Sequence, residues 1–202
     1  MCMLIKRLNQ NRLKIFTYLV LGTVGITGYF FIFPMLGGLV FFWAILYTIV
    51  IWKGLDKKLS QRERNLWFII VILYPILEAI IKYYLTFNVI PYSWSWINRI
   101  EHILSAIAIQ IMFLPFFIST LKKLNLVERF LLLLCFTVFI GNLNEFQEYL
   151  IRLKLGLTGK NYFSAYYWDT IYDMAMNVLG GVIGFGVITS LDLKRIVKDR
   201  SQ

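Results

Sequence analysis

Acidic and amide side chains recur at helical spacing in the second half of this 202-residue chain. Asp169, Asp173 and Asn177 follow one another at four-residue steps, which would align them along one face of an α-helix. Glu145 and Glu148 are three residues apart and would share a face of another helix. Converging carboxylates can act as general acid and base, or can hold a cation. These residues therefore indicate a polar site, provided that the fold brings the helices together.

Two further segments carry ionisable side chains at similar spacing. Glu78 and Lys82 lie one helical turn apart, and they would form either part of the site or a structural ion pair. His102 is the only histidine of the chain and directly follows Glu101. We expect His102 to be a hydrogen-bonding partner of a carboxylate rather than a metal ligand.

The expected roles divide these residues into three sets. The candidate catalytic residues are Glu145, Asp173, His102 and Asn177. The candidate substrate-binding residues are Glu78, Lys82, Glu101, Glu148, Arg152 and Asp169. The candidate ligands of a possible divalent cation are Glu145, Glu148, Asp169 and Asp173.

The composition determines which kind of element must position these side chains. Hydrophobic residues make up 59% of the chain, and the mean hydropathy is +0.68, both far above what a soluble core needs. In lipid, backbone groups must be satisfied internally, which leaves helices or a closed barrel. The apolar runs are long and do not alternate, which favours helices. The sequence therefore predicts an all-α, polytopic membrane helix bundle that forms a single domain over residues 1–202.

Six apolar runs approach the roughly 20 residues that a transmembrane helix requires. The predicted spans are residues 15–33, 36–52, 66–85, 100–121, 127–151 and 171–191. Only Pro34, Met35, Gly37 and Gly38 separate the first two runs, and a tight hairpin is expected there. The alternative is one long kinked segment over residues 15–52, which would leave five spans.

The lysines and arginines predict the orientation, because short cytoplasmic segments retain positive charge. With six spans, sixteen of the 21 basic residues fall on one side, together with both termini. We therefore expect a multi-pass plasma-membrane protein with both termini in the cytoplasm. The same asymmetry explains the net charge of +10 without a nucleic-acid partner, and it leaves membrane lipids as the expected partner.

This orientation places most of the acidic residues in one outward-facing layer. Six of the eleven acids belong to it: Glu78, Glu101, Glu145, Glu148, Asp169 and Asp173. Taken singly, such residues at span ends are often only interfacial. Their number favours a cation such as Mg²⁺ or Ca²⁺, a protonated carboxylate pair, or a bound cationic or hydroxyl-rich ligand.

The last two spans resemble a known group of membrane proteins. The runs NEFQEYLIR, at 144–152, and WDTIYDMAMNVLGGVIG, at 168–184, are similar to the VanZ-like and YjdF-like (DUF2238-type) integral membrane proteins. The resemblance implies functional positions at Glu145, Gln147 or Glu148, Arg152, Asp173, Asn177 and Gly180. The run RIEHILSAIAI, at 99–109, resembles the charged helix entry of these proteins and points to His102. The resemblance implies a bacterial cell-envelope setting, since VanZ-like proteins are associated with resistance to lipoglycopeptides such as teicoplanin.

Three functions are compatible with these patterns. The chain could bind or act on an envelope lipid or its polar headgroup at the outward-facing acidic site. It could instead be a small transport component that captures a polar or cationic substrate from the outer side. It could also be a scaffold whose polar layer only joins helices. A nearly apolar inner half argues against a complete transport pathway.

Overall fold

The computed structural model describes the backbone of residues 2–32, 34–87, 95–154 and 160–199. Side chains are described for residues 11–32, 38–84, 87, 96–150, 153–154 and 167–190. Every regular element within these ranges is helical, which confirms the all-α prediction. The six α-helices are α1 (Cys2–Thr27), α2 (Pro34–Trp52), α3 (Gln61–Thr86), α4 (Ser95–Leu121), α5 (Leu126–Lys154) and α6 (Lys160–Asp199).

Five helices are long and apolar enough to cross a membrane. These spans are Asn11–Ile32, Gln61–Tyr84, Trp96–Leu121, Leu126–Leu150 and Tyr167–Ser190. Four of these spans begin four or five residues before the predicted span starts. The helices extend over polar residues that the predicted apolar runs did not include. At 19 residues, α2 is about 28 Å long. That length is close to the roughly 30 Å of a bilayer's hydrocarbon core. The count of six spans and the cytoplasmic termini stay predictions.

The first of two compact units, Met1–Ser93, opens with a helical hairpin. The rings of Tyr18 and Tyr47 pack edge to face at 4.9 Å. Nearer the connection, a Cβ atom added to Gly25 would lie 3.5 Å from Val40. Both contacts join α1 to α2 in antiparallel order. Residues 15–52 therefore fold as two helices rather than as one kinked segment.

Aromatic side chains fill the interior of this first unit. The ring of Tyr47 stacks on Trp67 of α3 at 5.6 Å, and both side chains are fully buried. Trp43 packs against Tyr74 at 5.0 Å. Flat rings on α2 and α3 thus supply the close contacts that lipid-embedded helices need in order to associate.

In the second unit, Trp94–Gln202, α6 packs against both α4 and α5. Gly180 of α6 lies against Ile103 of α4, and Gly184, one turn later, lies against Ile107. Equal steps along both helices show that α4 and α6 run in the same direction. Small residues allow this approach, as is typical of helix pairs in membranes.

A buried glutamine joins all three helices of the second unit. Gln110 of α4 donates from Nε2 to the carbonyl oxygen of Gly181 at 2.9 Å and to that of Leu133 at 3.4 Å. Gln110 is fully buried within the unit. Its neutral amide therefore links α4, α5 and α6 without placing a charge in the membrane. That the whole chain forms one domain stays a prediction.

Cysteine labelling tests the orientation that the basic residues predict. In a chain with Cys2 and Cys135 replaced by serine, Lys58→Cys and Lys123→Cys should react with a membrane-impermeant maleimide only after the cells are opened. Lys154→Cys should react in intact cells, because it lies at the opposite end of α5. Labelling of the first two variants in intact cells would contradict the orientation.

Replacing one glycine tests the close contact between α4 and α6. A Cβ atom at Gly180 would lie 2.6 Å from the carbonyl oxygen of Ile103 and 2.7 Å from Cβ of Ala106. Because backbone must move, Gly180→Ala should lower the unfolding free energy by about 1 to 3 kcal/mol, measured by thermal unfolding in detergent. Gly186→Ala is the matched control, since its added Cβ meets no atom within 4 Å. Equal losses in the two variants would show that the contact is unimportant.

Candidate functional site

Three ionisable side chains from three helices of the second unit converge. Nε2 of His102 lies 3.4 Å from Oδ2 of Asp173, and Nδ1 of the same ring lies 3.8 Å from Oε1 of Glu145. One possible ligand atom from each residue lies within 4.8 Å of the other two. We name these residues the His–Glu–Asp cluster. It unites three of the four candidate catalytic residues on α4, α5 and α6.

The cluster is buried and lies at one level of the helices. His102, Glu145 and Asp173 are only 7%, 6% and 1% exposed. His102 and Asp173 each lie six residues after the start of their spans, and Glu145 lies five residues before the end of its span. At 1.5 Å per residue these positions are all about 8 to 9 Å from the span ends. The cluster therefore lies closer to the ends of these candidate spans than to their middle.

Glycine and asparagine form the next layer of contacts, one helical turn from the acids. Asn177 follows Asp173 by four residues, and Gly141 precedes Glu145 by four. A Cβ atom on Gly141 would lie 2.5 Å from Nδ2 of Asn177, so the absence of a side chain allows the amide to pack against α5. Asn177 is 4% exposed, and its Nδ2 atom has no hydrogen-bond partner in the described part of the chain. The fourth candidate catalytic residue thus borders the cluster.

Asn98 is a site residue that the sequence reasoning missed. Its Nδ2 atom donates to both carboxylate oxygens of Asp173, at 3.0 and 3.1 Å. Asn98 precedes His102 by four residues, so the two side chains share a face of α4. The same four-residue rule that identified the acidic face of α6 could have found it.

A cationic and aromatic pair lies beside the cluster. The Arg99 guanidinium lies over the ring of Tyr172, 4.3 Å from its centroid. Arg99 directly follows Asn98 in the chain, and Tyr172 directly precedes Asp173. Tyr172 is 42% exposed, so the pair lies at the surface of the second unit. It provides a hydrogen-bonding cation next to the buried acids.

The other acids of the second unit that the sequence singled out lie outside this group. Glu148 accepts a hydrogen bond from Nδ2 of Asn144 at 3.0 Å along α5, and Asp169 is half-buried. Both are close enough to interact electrostatically with Asp173. Glu101 is 7% exposed on α4. Of the four candidate metal ligands, the structure brings Glu145 and Asp173 together and adds His102 to them.

Other predicted residues lie elsewhere in the chain. Glu78 and Lys82 belong to the first unit, where Nζ of Lys82 lies 3.8 Å from Oε1 of Glu78. This contact fits the structural ion pair that the sequence left open. Arg152 lies on α5, but its side chain is outside the described residues.

Comparison with known proteins identifies a family. The chain matches the family described as "Predicted membrane protein (DUF2238)" over residues 10–192. Because the match covers most of the chain, the protein belongs to this family, which confirms the resemblance to DUF2238-type proteins. No curated protein and no solved structure matches the chain.

A double-mutant cycle tests the contact between Gly141 and Asn177. Gly141→Ala should destabilise the protein less than Gly180→Ala, because its Cβ meets the end of a side chain, which can rotate, rather than backbone. In an Asn177→Ala background the cost of Gly141→Ala should fall further, since the two closest atoms, at 2.5 and 2.7 Å, are gone. Thermal unfolding measures all four proteins. An unchanged cost in the second background would contradict the contact.

Proposed function

We propose that this membrane protein binds the hydroxyl-bearing polar headgroup of a membrane lipid at the His–Glu–Asp cluster. One observation carries the proposal: His102, Glu145 and Asp173 converge from three helices at one buried level near the span ends. A lipid headgroup and its linkage to the acyl chains occupy this depth of a bilayer. The site is therefore at the level where a lipid could present polar atoms to it.

The burial of the cluster argues against a purely structural role. A buried carboxylate is unfavourable unless it is hydrogen-bonded, paired or coordinates a cation. The neutral amide of Gln110 already connects α4, α5 and α6 by hydrogen bonds to backbone. Asp173 also joins α6 to α4 through Asn98, but that contact requires neither a second acid nor a histidine. The scaffold alternative therefore leaves the convergence of His102 and Glu145 with Asp173 unexplained.

The donor and acceptor chemistry of the site favours hydroxyl groups. Carboxylates accept hydrogen bonds from hydroxyls, and an imidazole can donate or accept. At the surface, Arg99 on Tyr172 offers guanidinium donors that suit a phosphate. A phosphate-linked, hydroxyl-bearing headgroup would match the cation at the rim and the acids within.

The same residues provide acid and base groups. Carboxylates lie near both ring nitrogens of His102, at 3.4 and 3.8 Å. A carboxylate or imidazole of the cluster that does not hold a cation can accept a proton from a bound hydroxyl and return it. Action on the headgroup, as well as binding, is thus available to this site.

A second candidate function is the capture of a cationic substrate from the outer side. The half-buried acids Glu148 and Asp169 act electrostatically on Asp173 and increase the negative charge around the cluster. A small cation would be attracted for that reason. In that case neutralising the cluster would leave lipid binding unchanged.

Lipid analysis of purified protein tests the first proposal against the second. In mild detergent, the wild-type chain should carry one headgroup class enriched at least about tenfold over the source membrane. The double variant Glu145→Gln with Asp173→Asn should lose this enrichment while its membrane abundance is retained, because its cluster has lost both charged acceptors.

Glu128→Gln is the matched control, since Glu128 lies on the same helix as Glu145 but at its other end. Its carboxylate accepts a hydrogen bond from the Asn125 backbone there, which glutamine can also accept. This variant should keep the wild-type lipid profile. No enrichment in the wild type, or equal enrichment in all three proteins, would contradict lipid binding at the cluster.

A further inference from the structure

We infer that His102, Glu145 and Asp173 bind a first-row divalent transition-metal ion, such as Zn²⁺ or Mn²⁺. The ion would be a cofactor at the site of the proposed function. Its role in headgroup binding rests on that proposed function. Ion binding itself is a separate property that needs no lipid. Each residue comes from a different helix, so one ion would hold α4, α5 and α6 together at this level.

The separations fit a shared ion. Ligand atoms at about 2.0 to 2.2 Å from a zinc ion lie about 3 to 3.5 Å from one another. The 3.4 Å between Nε2 of His102 and Oδ2 of Asp173 already has this value. When one ligand atom is taken from each residue, the three atoms lie within 4.8 Å of one another. Side-chain rotation that moves Glu145 by about an ångström would complete the set.

Charge balance is consistent with a divalent ion. Glu145 and Asp173 can contribute two negative charges to a buried site, where charged groups are stable only when they are paired or coordinate a cation. A divalent ion compensates both charges.

The buried amide of Asn177 is an independent observation that points to a ligand. Its side chain is 4% exposed, and Nδ2 has no hydrogen-bond partner in the described part of the chain. It packs against Gly141, one turn from both Glu145 and Asp173. Rotating the amide by half a turn exchanges nitrogen for Oδ1, so the group can offer either a donor or an acceptor to a ligand. A buried polar group of this kind is unfavourable unless something binds it.

Asn98 positions the Asp173 carboxylate. It donates to both oxygens, at 3.0 and 3.1 Å, and thereby fixes the plane of the group. Residues that hold a ligand in this way typically change metal affinity by about 10- to 100-fold when they are replaced. Asn98 is a positioning residue rather than a ligand.

The donor set distinguishes among metals. Mg²⁺ and Ca²⁺ prefer oxygen ligands alone, whereas an imidazole with carboxylates suits Zn²⁺ and Mn²⁺. The sequence suggested Mg²⁺ or Ca²⁺ because it offered only carboxylates as ligands, and His102 changes that expectation. Three protein ligands leave a coordination position for water or for a headgroup hydroxyl.

Equilibrium dialysis of the full chain tests the inference. Protein with a histidine-free tag is purified in detergent, stripped with a chelator, dialysed against Zn²⁺ or Mn²⁺ and analysed for metal. The wild type should bind one ion per chain. Asp173→Asn, Glu145→Gln and His102→Gln should each weaken binding by more than about 100-fold, since each removes a ligand.

Two further variants keep the result interpretable. Glu128→Gln makes the same charge change at the other end of α5 and should bind within about threefold of the wild type. Asn98→Ala removes no charge and should weaken binding about tenfold. Thermal unfolding verifies that each variant is folded. No stoichiometric binding to the wild type, or equal losses in Glu128→Gln and the cluster variants, would overturn the inference.

The lipid measurement separates this inference from the proposed function. Stoichiometric metal binding without headgroup enrichment would reject the lipid proposal and support the metal site. Enrichment that persists in chelator-treated protein, together with no bound ion, would support lipid binding and reject the metal site.

Discussion

The second unit depends on how closely α6 can approach its neighbours. In lipid, helices gain little from burying apolar surface against one another, so their association relies on close packing and on hydrogen bonds. Gly180 and Gly184 allow α6 to lie against the backbone of α4, and Gly141 gives it room on the side of α5. Without these approaches the short side chains of Asp173 and Asn98 could not meet across helices. The polar site thus depends on glycines, because their lack of a side chain allows the helices to approach one another.

Polar groups serve two different purposes at two depths of this unit. Deeper in the helices, Gln110 is neutral and donates to backbone carbonyls of the other two helices, which is what adhesion in a membrane requires. Nearer the span ends, His102 and the two acids bring ionisable side chains together in a buried cluster. The first group joins helices through a neutral amide, and the second is the group to which we assign the proposed function.

The first unit has its own, simpler arrangement. Its interior consists of stacked and edge-on aromatic rings, with Tyr47 and Trp67 fully buried. Glu78 and Lys82 form an ion pair along α3, which satisfies both residues locally. The match to the family of predicted membrane proteins, over residues 10–192, includes residues of both units.

The sequence by itself determined the elements and the faces of the helices. Hydropathy acts over about 20 neighbouring residues, and side chains four residues apart share a helix face, so both properties are local. Composition thus predicted the all-α fold, and spacing aligned Asp173 with Asn177. The sequence also predicted a helical hairpin over residues 15–52. The antiparallel contacts of α1 and α2 confirm it.

Only the tertiary structure decided which polar residues meet. Asp169 and Asp173 look equivalent in the sequence, yet Asp173 is 1% exposed and bonded to Asn98, whereas Asp169 is half-buried. The two residues share a face of α6, so the difference arises from position along the helix: Asp173 lies one turn further into the span, where Asn98 of α4 meets it. Such a contact depends on a partner distant in sequence. Spacing along one helix contains no information about it.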